Sequence, residues 1–354
     1  MKNFSCSACG NKIYFENVTC VKCGHALGFD AGAQTMVALS PDTKDTALFR
    51  KVNRSRFRRT AQPKDGVRYC ANASHGVCNW LTPDGGNAFC RACSLNRTIP
   101  NLSEDGSLNA WGDLERAKKR LVYSLLRFGL PFDGAATPQG ALTFDFVRSA
   151  MTGHLDGVIT IDIMEADAVE RERQRQQFGE PYRALLGHLR HEAGHYFWGM
   201  LVQSTKLLDE FRKLFGDERT DYGAAIANHH SYGPPSDWSA RHVSAYASAH
   251  PWEDWAETWA HYLHMVDTLE TAEASGMEPR MANVAFGGAW PFKTYDIYRE
   301  ETFDALMERW IPLTLAMNNL NRSMGHDDFY PFVIPKPAMA KLAFVHRAIR
   351  NRRT

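Results

Sequence analysis

Residues 188–201 read HLRHEAGHYFWGML and contain two histidines four residues apart, His191 and His195, with Glu192 between them. Two positions four residues apart on a helix differ by about 40° around the axis and by about 6 Å along it. The two imidazoles can therefore converge on one Zn²⁺, and Glu192 can hold a water on that metal and take its proton. The motif alone also fits a polar helix face with two solvated histidines, so its surroundings decide its meaning.

The surroundings of the motif predict a long and largely buried helix. Pro181 suits the first turn of a helix, and no further proline occurs from Tyr182 to Val202. Apolar residues recur at helical spacing, namely Leu185, Leu186, Leu189, Phe197, Met200 and Leu201. Burying two histidines and a glutamate without a partner costs free energy, and a zinc ion supplies that partner.

A catalytic zinc site needs a third protein ligand. The metzincin pattern requires a glycine and a histidine at positions where this chain has tryptophan and leucine, so that pattern is excluded. Residues 244–264, SAYASAHPWEDWAETWAHYLH, predict a helix opened by Pro251, with Glu253 and Glu257 on one face at i and i+4. One carboxylate can bind zinc, and the other can orient a ligand histidine through its second ring nitrogen.

Four other histidines compete for the third position: His188, His250, His261 and His264. Each is expected to cap a helix, to pack, or to orient a ligand rather than to bind the metal.

All eight cysteines lie before residue 94, and the first four form a regular set. Cys6-x-x-Cys9 and Cys20-x-x-Cys23 each have a glycine directly after the second cysteine, which is the knuckle spacing of a zinc ribbon. This pattern predicts a closed Cys₄ zinc site. Disulfides are the alternative, but they are not expected in a reducing compartment.

The second set, Cys70, Cys78, Cys90 and Cys93, is less regular because its first two members do not form a CxxC pair. Two Cys₄ sites nevertheless use every cysteine, so a second structural zinc is predicted. The alternative is that His75 replaces Cys70 or Cys78 as a ligand.

The amino-acid composition argues against nucleic-acid binding and against insertion into a membrane. The 41 basic and 40 acidic residues give a net charge of +1, so no strong field favours nucleic acid. No apolar run approaches a membrane span, and the start of the chain lacks the apolar segment of a signal peptide, so a cytoplasmic protein is expected. The stretch FRKVNRSRFRRT (residues 49–60) could bind nucleic acid or an acidic partner, but a solvated connection is favoured.

Local patterns predict the elements around these motifs. Residues 1–30 are expected to form short β-hairpins around zinc, and residues 31–66 are expected to be rich in turns. Helices are predicted over 108–128 and 166–177, with a strand around 142–147. The stretch GVITIDI (residues 157–163) alternates as a half-buried strand does. We expect it to be an edge strand beside the HExxH helix, where an extended substrate peptide could add.

These patterns give an α+β fold class. A β-rich region with two zinc-ribbon-like Cys₄ modules is predicted for residues 1–100. A mainly helical zincin-like domain with a small mixed sheet is predicted for residues 101–354.

The motif HEAGH with the downstream segment from Tyr246 to Glu257 resembles the gluzincin metallopeptidases. More closely, the chain resembles a bacterial family of zinc-binding metallopeptidases that carry an N-terminal zinc ribbon. That similarity covers nearly the full length and includes CANASHGVCNWL, FCRACSLNRTIPNL, LGHLRHEAGHYFW, LFGDERTDY and LNRSMGHDDFYPFVIP.

The resemblance implies roles for three further residues. The first glutamate of the ExxxE helix, Glu253, would be the zinc ligand, and Glu257 would lie outside the ligand set. A tyrosine seven residues before the ligand glutamate stabilises the oxyanion in some gluzincins, which points to Tyr246. The alternative for Tyr246 is a buried helix tyrosine with a satisfied hydroxyl.

The predicted function is zinc-dependent hydrolysis of a peptide or isopeptide bond by zinc-activated water, with Glu192 as general base. One catalytic and two structural zinc ions are expected, with a peptide or protein as substrate. A protein partner could bind the ribbons, whereas nucleic acid and membrane are not expected partners. The alternatives are a zinc-ribbon adaptor with a latent zincin domain, and hydrolysis of a non-peptide amide.

Overall fold

Short strands form the start of the chain in the computed structural model, which describes residues 2–53, 66–133, 140–177, 183–277 and 296–351. Strand β1 (Phe4–Ser5) pairs antiparallel with β2 (Lys12–Ile13). An antiparallel sheet follows, in which each strand pairs with the next one along the chain. Its strands are β3 (Ala26–Asp30), β4 (Thr35–Pro41), β5 (Phe49–Val52), β6 (Gly66–Tyr69) and β7 (Leu81–Pro83). The predicted β-rich zinc-ribbon region is confirmed.

The prediction that residues 31–66 are rich in turns is wrong where β4 and β5 lie. Two basic side chains of β5 form ion pairs: Arg50 with Asp42 at 2.8 Å, and Lys51 with Asp30 at 2.6 Å. The rest of the basic stretch, from residue 54 onward, lies outside the described residues.

A mixed sheet follows the second cysteine set, in the strand order β10-β11-β9-β8. Its strands are β8 (Asn96–Thr98), β9 (Thr143–Val147), β10 (Gly153–Leu155) and β11 (Val158–Asp162). Strand β11 pairs with β10 on one side and with β9 on the other. The expectation that GVITIDI is an edge strand is therefore wrong, because both of its edges are already paired.

Helices make up the rest of the described chain. They are α1 (Ser107–Phe128), α2 (Ala168–Gln177), α3 (Leu185–Trp198), α4 (Leu208–Phe215), α5 (Tyr222–Tyr232), α6 (Pro251–Ala274), α7 (Phe303–Ser323) and α8 (Lys336–Arg350). Helix α3 begins at Leu185 because Ala184 is extended, with φ −142° and ψ 146°. Pro181 is thus outside the first turn of α3 and outside the described residues, which corrects the predicted helix start.

Helices α3 and α6 pack closely enough to bring their polar faces together. The indole of Trp255 donates a hydrogen bond to the carbonyl of Gly194 at 2.8 Å. The rings of Phe197 and Trp259 stack with centroids 5.0 Å apart. A Cβ added to Gly194 would lie 3.0 Å from the Cα of Ala256, so the glycine of HEAGH permits this close approach.

The described chain packs into two compact units. One holds the described residues up to 170, and the other holds those from 171 onward. Both the HExxH helix α3 and the ExxxE helix α6 belong to the second unit. The predicted domain boundary after residue 100 stays a prediction. Within the described residues, no helix combines the length and the apolar character that a membrane span requires.

Candidate metal centres

His191, His195 and Glu253 converge at the contact between α3 and α6. Nε2 of His191 lies 3.2 Å from Nε2 of His195 and 2.9 Å from Oε2 of Glu253. Nε2 of His195 lies 3.6 Å from Oε1 of Glu253. The two histidines are one helical turn apart on α3, and Pro251 starts α6 so that Glu253 lies in its first turn. The structure therefore brings all three predicted ligands together.

The separations between these three side chains are close to those of ligands in a tetrahedral zinc site. Zinc bonds to histidine nitrogen and carboxylate oxygen of about 2.0–2.1 Å require tetrahedral edges of about 3.3–3.4 Å. The separations of 3.2, 2.9 and 3.6 Å bracket that value, with Glu253 facing His191 through Oε2 and His195 through Oε1. The residues present can therefore hold zinc without a large rearrangement, and a fourth position remains for a non-protein ligand.

The two carboxylate oxygens of Glu253 have different surroundings. Oε1 accepts a hydrogen bond from the hydroxyl of Tyr222 at 2.8 Å. Oε2 is buried and has no hydrogen bond among the described residues, although it lies 2.9 Å from Nε2 of His191. A buried oxygen without a hydrogen bond is costly unless a cation binds it. Oε2 is thus the oxygen that suits a metal ion.

Glu257 contacts the ring nitrogen of His191 that faces away from the three-ligand cluster. Its Oε1 lies 2.7 Å from Nδ1 of His191, and its Oε2 accepts a hydrogen bond from the hydroxyl of Ser244 at 2.6 Å. Such a carboxylate fixes the tautomer and the ring orientation of a metal-ligating histidine. Glu253 and Glu257 therefore meet His191 from opposite sides of its ring.

The electrostatics of the centre favour a positive charge. Burial by itself lowers the pKa of His191, but the close negative carboxylates of Glu253 and Glu257 outweigh it and raise that pKa well above its usual value. Burial likewise opposes ionisation of the two glutamates, yet their contacts with His191 lower the pKa of each to about 2. Without metal, His191 is protonated between the two carboxylates. A divalent cation can replace that positive charge.

Tyr246 lies beside the centre, in a 3₁₀ turn that precedes α6. Its ring centroid is 5.9 Å from that of His191. Burial raises the pKa of Tyr246, and the nearby charges of Glu253 and Glu192 raise it further. Tyr246 therefore stays protonated as a hydrogen-bond donor.

Sequence reasoning missed Tyr222 and Ser244, whose hydroxyls donate hydrogen bonds to Glu253 and Glu257 of α6 respectively. Tyr222 starts α5 directly after Asp221, whose side chain caps the helix by accepting a hydrogen bond from the amide of Ala224 at 2.9 Å. That capping pattern could have located the start of α5. No local signal indicates that the tyrosine hydroxyl reaches Glu253, 31 residues further on.

The competing histidines stay outside the three-ligand cluster. His250 caps α6, with its Nδ1 accepting a hydrogen bond from the amide of Trp252 at 3.1 Å. Nδ1 of His261 lies 2.6 Å from the hydroxyl of Tyr330, and Nδ1 of His264 lies 2.6 Å from Arg190.

Each cysteine set forms its own cluster of four sulfurs. In the first set, Cys6 and Cys23 are 3.7 Å apart, as are Cys9 and Cys20. In the second set, Cys78 lies 3.8 Å from Cys90 and 3.7 Å from Cys93, and Cys70 completes the cluster.

These sulfur separations fit zinc and do not fit disulfides. A tetrahedral site with Zn–S bonds of about 2.3 Å has S···S edges of about 3.8 Å, whereas a disulfide requires about 2.05 Å. His75 is outside the second cluster, and its ring lies against that of Trp111 with centroids 5.8 Å apart. The residues of both sets fit a closed Cys₄ site, and the alternative with His75 as a ligand finds no support in this geometry.

A fold with two Cys₄ clusters and a His₂Glu cluster defines a zinc-binding protein with the donor set of a metallohydrolase. Residues 107–348 match the family described as "Putative zinc-binding metallo-peptidase", and residues 3–104 match a zinc-ribbon domain. The chain belongs to this metallopeptidase family, which confirms the resemblance to zinc-binding metallopeptidases with an N-terminal zinc ribbon.

The relatives of this chain include "Uncharacterized protein Rv2568c" of Mycobacterium tuberculosis and "Uncharacterized protein Mb2598c" of Mycobacterium bovis. Each is 38% identical over 356 residues, which cover 99% of this chain and 95% of the relative. No solved structure matches the chain.

Proposed function

We propose that this protein is a zinc-dependent peptidase that cleaves peptide or isopeptide bonds at the cluster of His191, His195 and Glu253. The observation that carries the proposal is the convergence of His191, His195 and Glu253, whose ligand atoms lie within 4.8 Å of one another, together with the buried Oε2 of Glu253, which has no hydrogen bond within the described part of the chain. When bound there, zinc acts as a Lewis acid that polarises the scissile carbonyl and activates water at neutral pH.

The side chains around this cluster have complementary roles in the proposed reaction. Glu192, one residue after His191 on α3, takes the proton of the attacking water on its carboxylate and passes it to the leaving amine. Tyr246, kept protonated by its surroundings, donates a hydrogen bond to the oxyanion that develops on the substrate. Glu257 and Ser244 keep His191 in the orientation that directs Nε2 at the metal position.

Tyr222 has a positioning role in this proposal. Its hydroxyl donates to Oε1 of Glu253 and leaves Oε2 for the metal. Burial raises the pKa of Tyr222, and the charge of Glu253 raises it further, so the hydroxyl remains a donor.

Replacing Tyr222 by Phe should weaken zinc binding at this centre by about tenfold, the lower range for loss of a group that orients a metal ligand. Zinc affinity is measured by competition with a chromogenic chelator. Tyr14→Phe, at an exposed tyrosine of the zinc-ribbon region, serves as the control and should leave the affinity unchanged. Equal affinities in all three proteins would rule out the positioning role.

Metal content tests the proposed function directly. Three clusters predict three zinc ions in the purified protein and two in His191→Ala. His188→Ala, on the same helix but outside the cluster, should keep three. Two zinc ions in all three proteins would contradict the proposal, and the adaptor alternative would then be the better account of the chain.

The zinc ribbons are proposed to recruit a protein substrate or partner. A Cys₄ zinc has no open coordination position, so the ribbons take no part in the chemistry itself.

A further inference from the structure

An open cavity of about 300 Å³ lies in the second compact unit, between α5 and the 3₁₀ turn Tyr246–Ser248. Two ring contacts connect the lining of the cavity to the metal centre. His229 lines it and meets the ring of Tyr246 at a centroid distance of 5.7 Å, and Tyr246 in turn lies 5.9 Å from His191. The cavity is thus near enough to the cluster to receive a side chain next to a scissile bond held there.

The walls of the cavity combine apolar surface with a few uncharged polar groups. Ala225, Pro234, Pro235 and Ala249 supply the apolar part, and Tyr232 adds an aromatic ring. Asn228, His229 and Ser248 supply hydrogen-bonding groups. The hydroxyl of Ser248 donates to the carbonyl of Ala245 at 2.6 Å, so its oxygen can still accept a hydrogen bond from a ligand.

No acidic side chain, lysine or arginine is among the described residues that line the cavity. Burial lowers the pKa of His229, so this side chain is neutral at pH 7. A charged ligand group would therefore find no ionic partner among these residues. An uncharged group with an apolar body and a polar tip would satisfy both kinds of wall.

We propose that this cavity is the specificity subsite of the enzyme and that it receives an uncharged aromatic side chain, tyrosine in preference to phenylalanine, next to the scissile bond. The volume is at the lower end of the range for ligand pockets, which suits one side chain rather than a larger ligand. This inference rests on the proposed peptidase function, since it places the substrate chain across the cluster of His191, His195 and Glu253.

The test measures binding, so that it does not depend on turnover. The full-length, zinc-loaded Glu192→Gln protein is titrated with short peptides that differ only in one central residue, which is Tyr, Phe, Lys or Glu. The Tyr and Phe peptides should bind at least about tenfold more tightly than the Lys and Glu peptides, with Tyr the tightest. Ala225→Trp in the same background fills the cavity and should remove this preference.

Ala227→Trp is the matched control, because Ala227 is exposed on the same helix and does not line the cavity. It should keep the preference, and the zinc content of both tryptophan variants should equal that of their parent. Equal binding of the four peptides, no binding of any, or a preference that survives Ala225→Trp would each overturn the subsite. If the preference is found but the wild type cleaves none of the peptides, the subsite stands and the proposed peptidase function fails.

Discussion

Replacing Glu192 by Gln should reduce peptide hydrolysis by about 10²–10⁴-fold or more, the usual contribution of a general acid–base group. The amide has the shape of the carboxylate but cannot accept the proton of the attacking water. Because Glu192 is not one of the three clustered ligands, the zinc content should stay at the wild-type value. The measurements are kcat on a peptide substrate and elemental analysis of the same preparation.

Glu172→Gln provides the control for this change. Glu172 is an exposed helical glutamate that pairs with Arg175 at 2.8 Å, so its replacement should affect neither activity nor zinc. Full activity in Glu192→Gln would contradict the role of Glu192 as general base. Loss of zinc in Glu192→Gln would instead indicate that Glu192 helps to bind the metal.

Replacing Cys90 by Ser should release one zinc ion and destabilise the first compact unit. Cys90 is buried, and its sulfur lies 3.8 Å from that of Cys78. Structural zinc contributes about 10–16 kcal/mol of apparent binding free energy in zinc-finger peptides, so loss of one thiolate has a large effect on folding. The expected result is one zinc fewer per chain and a lower unfolding temperature.

Ser94→Ala controls for a substitution beside the second cysteine cluster. It removes one exposed hydrogen bond, from the hydroxyl of Ser94 to the carbonyl of Arg91, and should leave both the zinc content and the unfolding temperature nearly unchanged. An unchanged zinc content in Cys90→Ser would show that the second quartet does not hold metal.

Part of the convergence of His191, His195 and Glu253 could be predicted from the sequence because helical spacing determines which side chains share a helix face. His191 and His195 share a helix face by their four-residue separation, and so do Glu253 and Glu257. Their meeting across α3 and α6 depends on tertiary packing, which the resemblance to gluzincins implied and local patterns did not. The catalytic and ligand roles of these residues stay predictions that the variants above will test.

Other features could not be read from local patterns. Tyr222 and Ser244 reach the glutamates of α6 from separate segments, and a single hydroxyl leaves no periodic signal in a sequence. The alternation in GVITIDI identified a strand, but alternation reports which face is buried and not which strands pair at its edges. Pro181 favoured an early start for α3, whereas the extended conformation of Ala184 sets the start at Leu185.

Helix α5 has a consequence for how the protein responds to its ligands. None of its residues is buried, yet it carries Tyr222, whose hydroxyl donates a hydrogen bond to Glu253, and His229, which lines the cavity. An element with so little buried surface opens locally at low free-energy cost, and its amides should exchange hydrogen quickly in the metal-free protein. A metal ion bound to Glu253 and a substrate side chain bound in the cavity should both favour the folded form of α5. Each should therefore strengthen the binding of the other, and by the same factor.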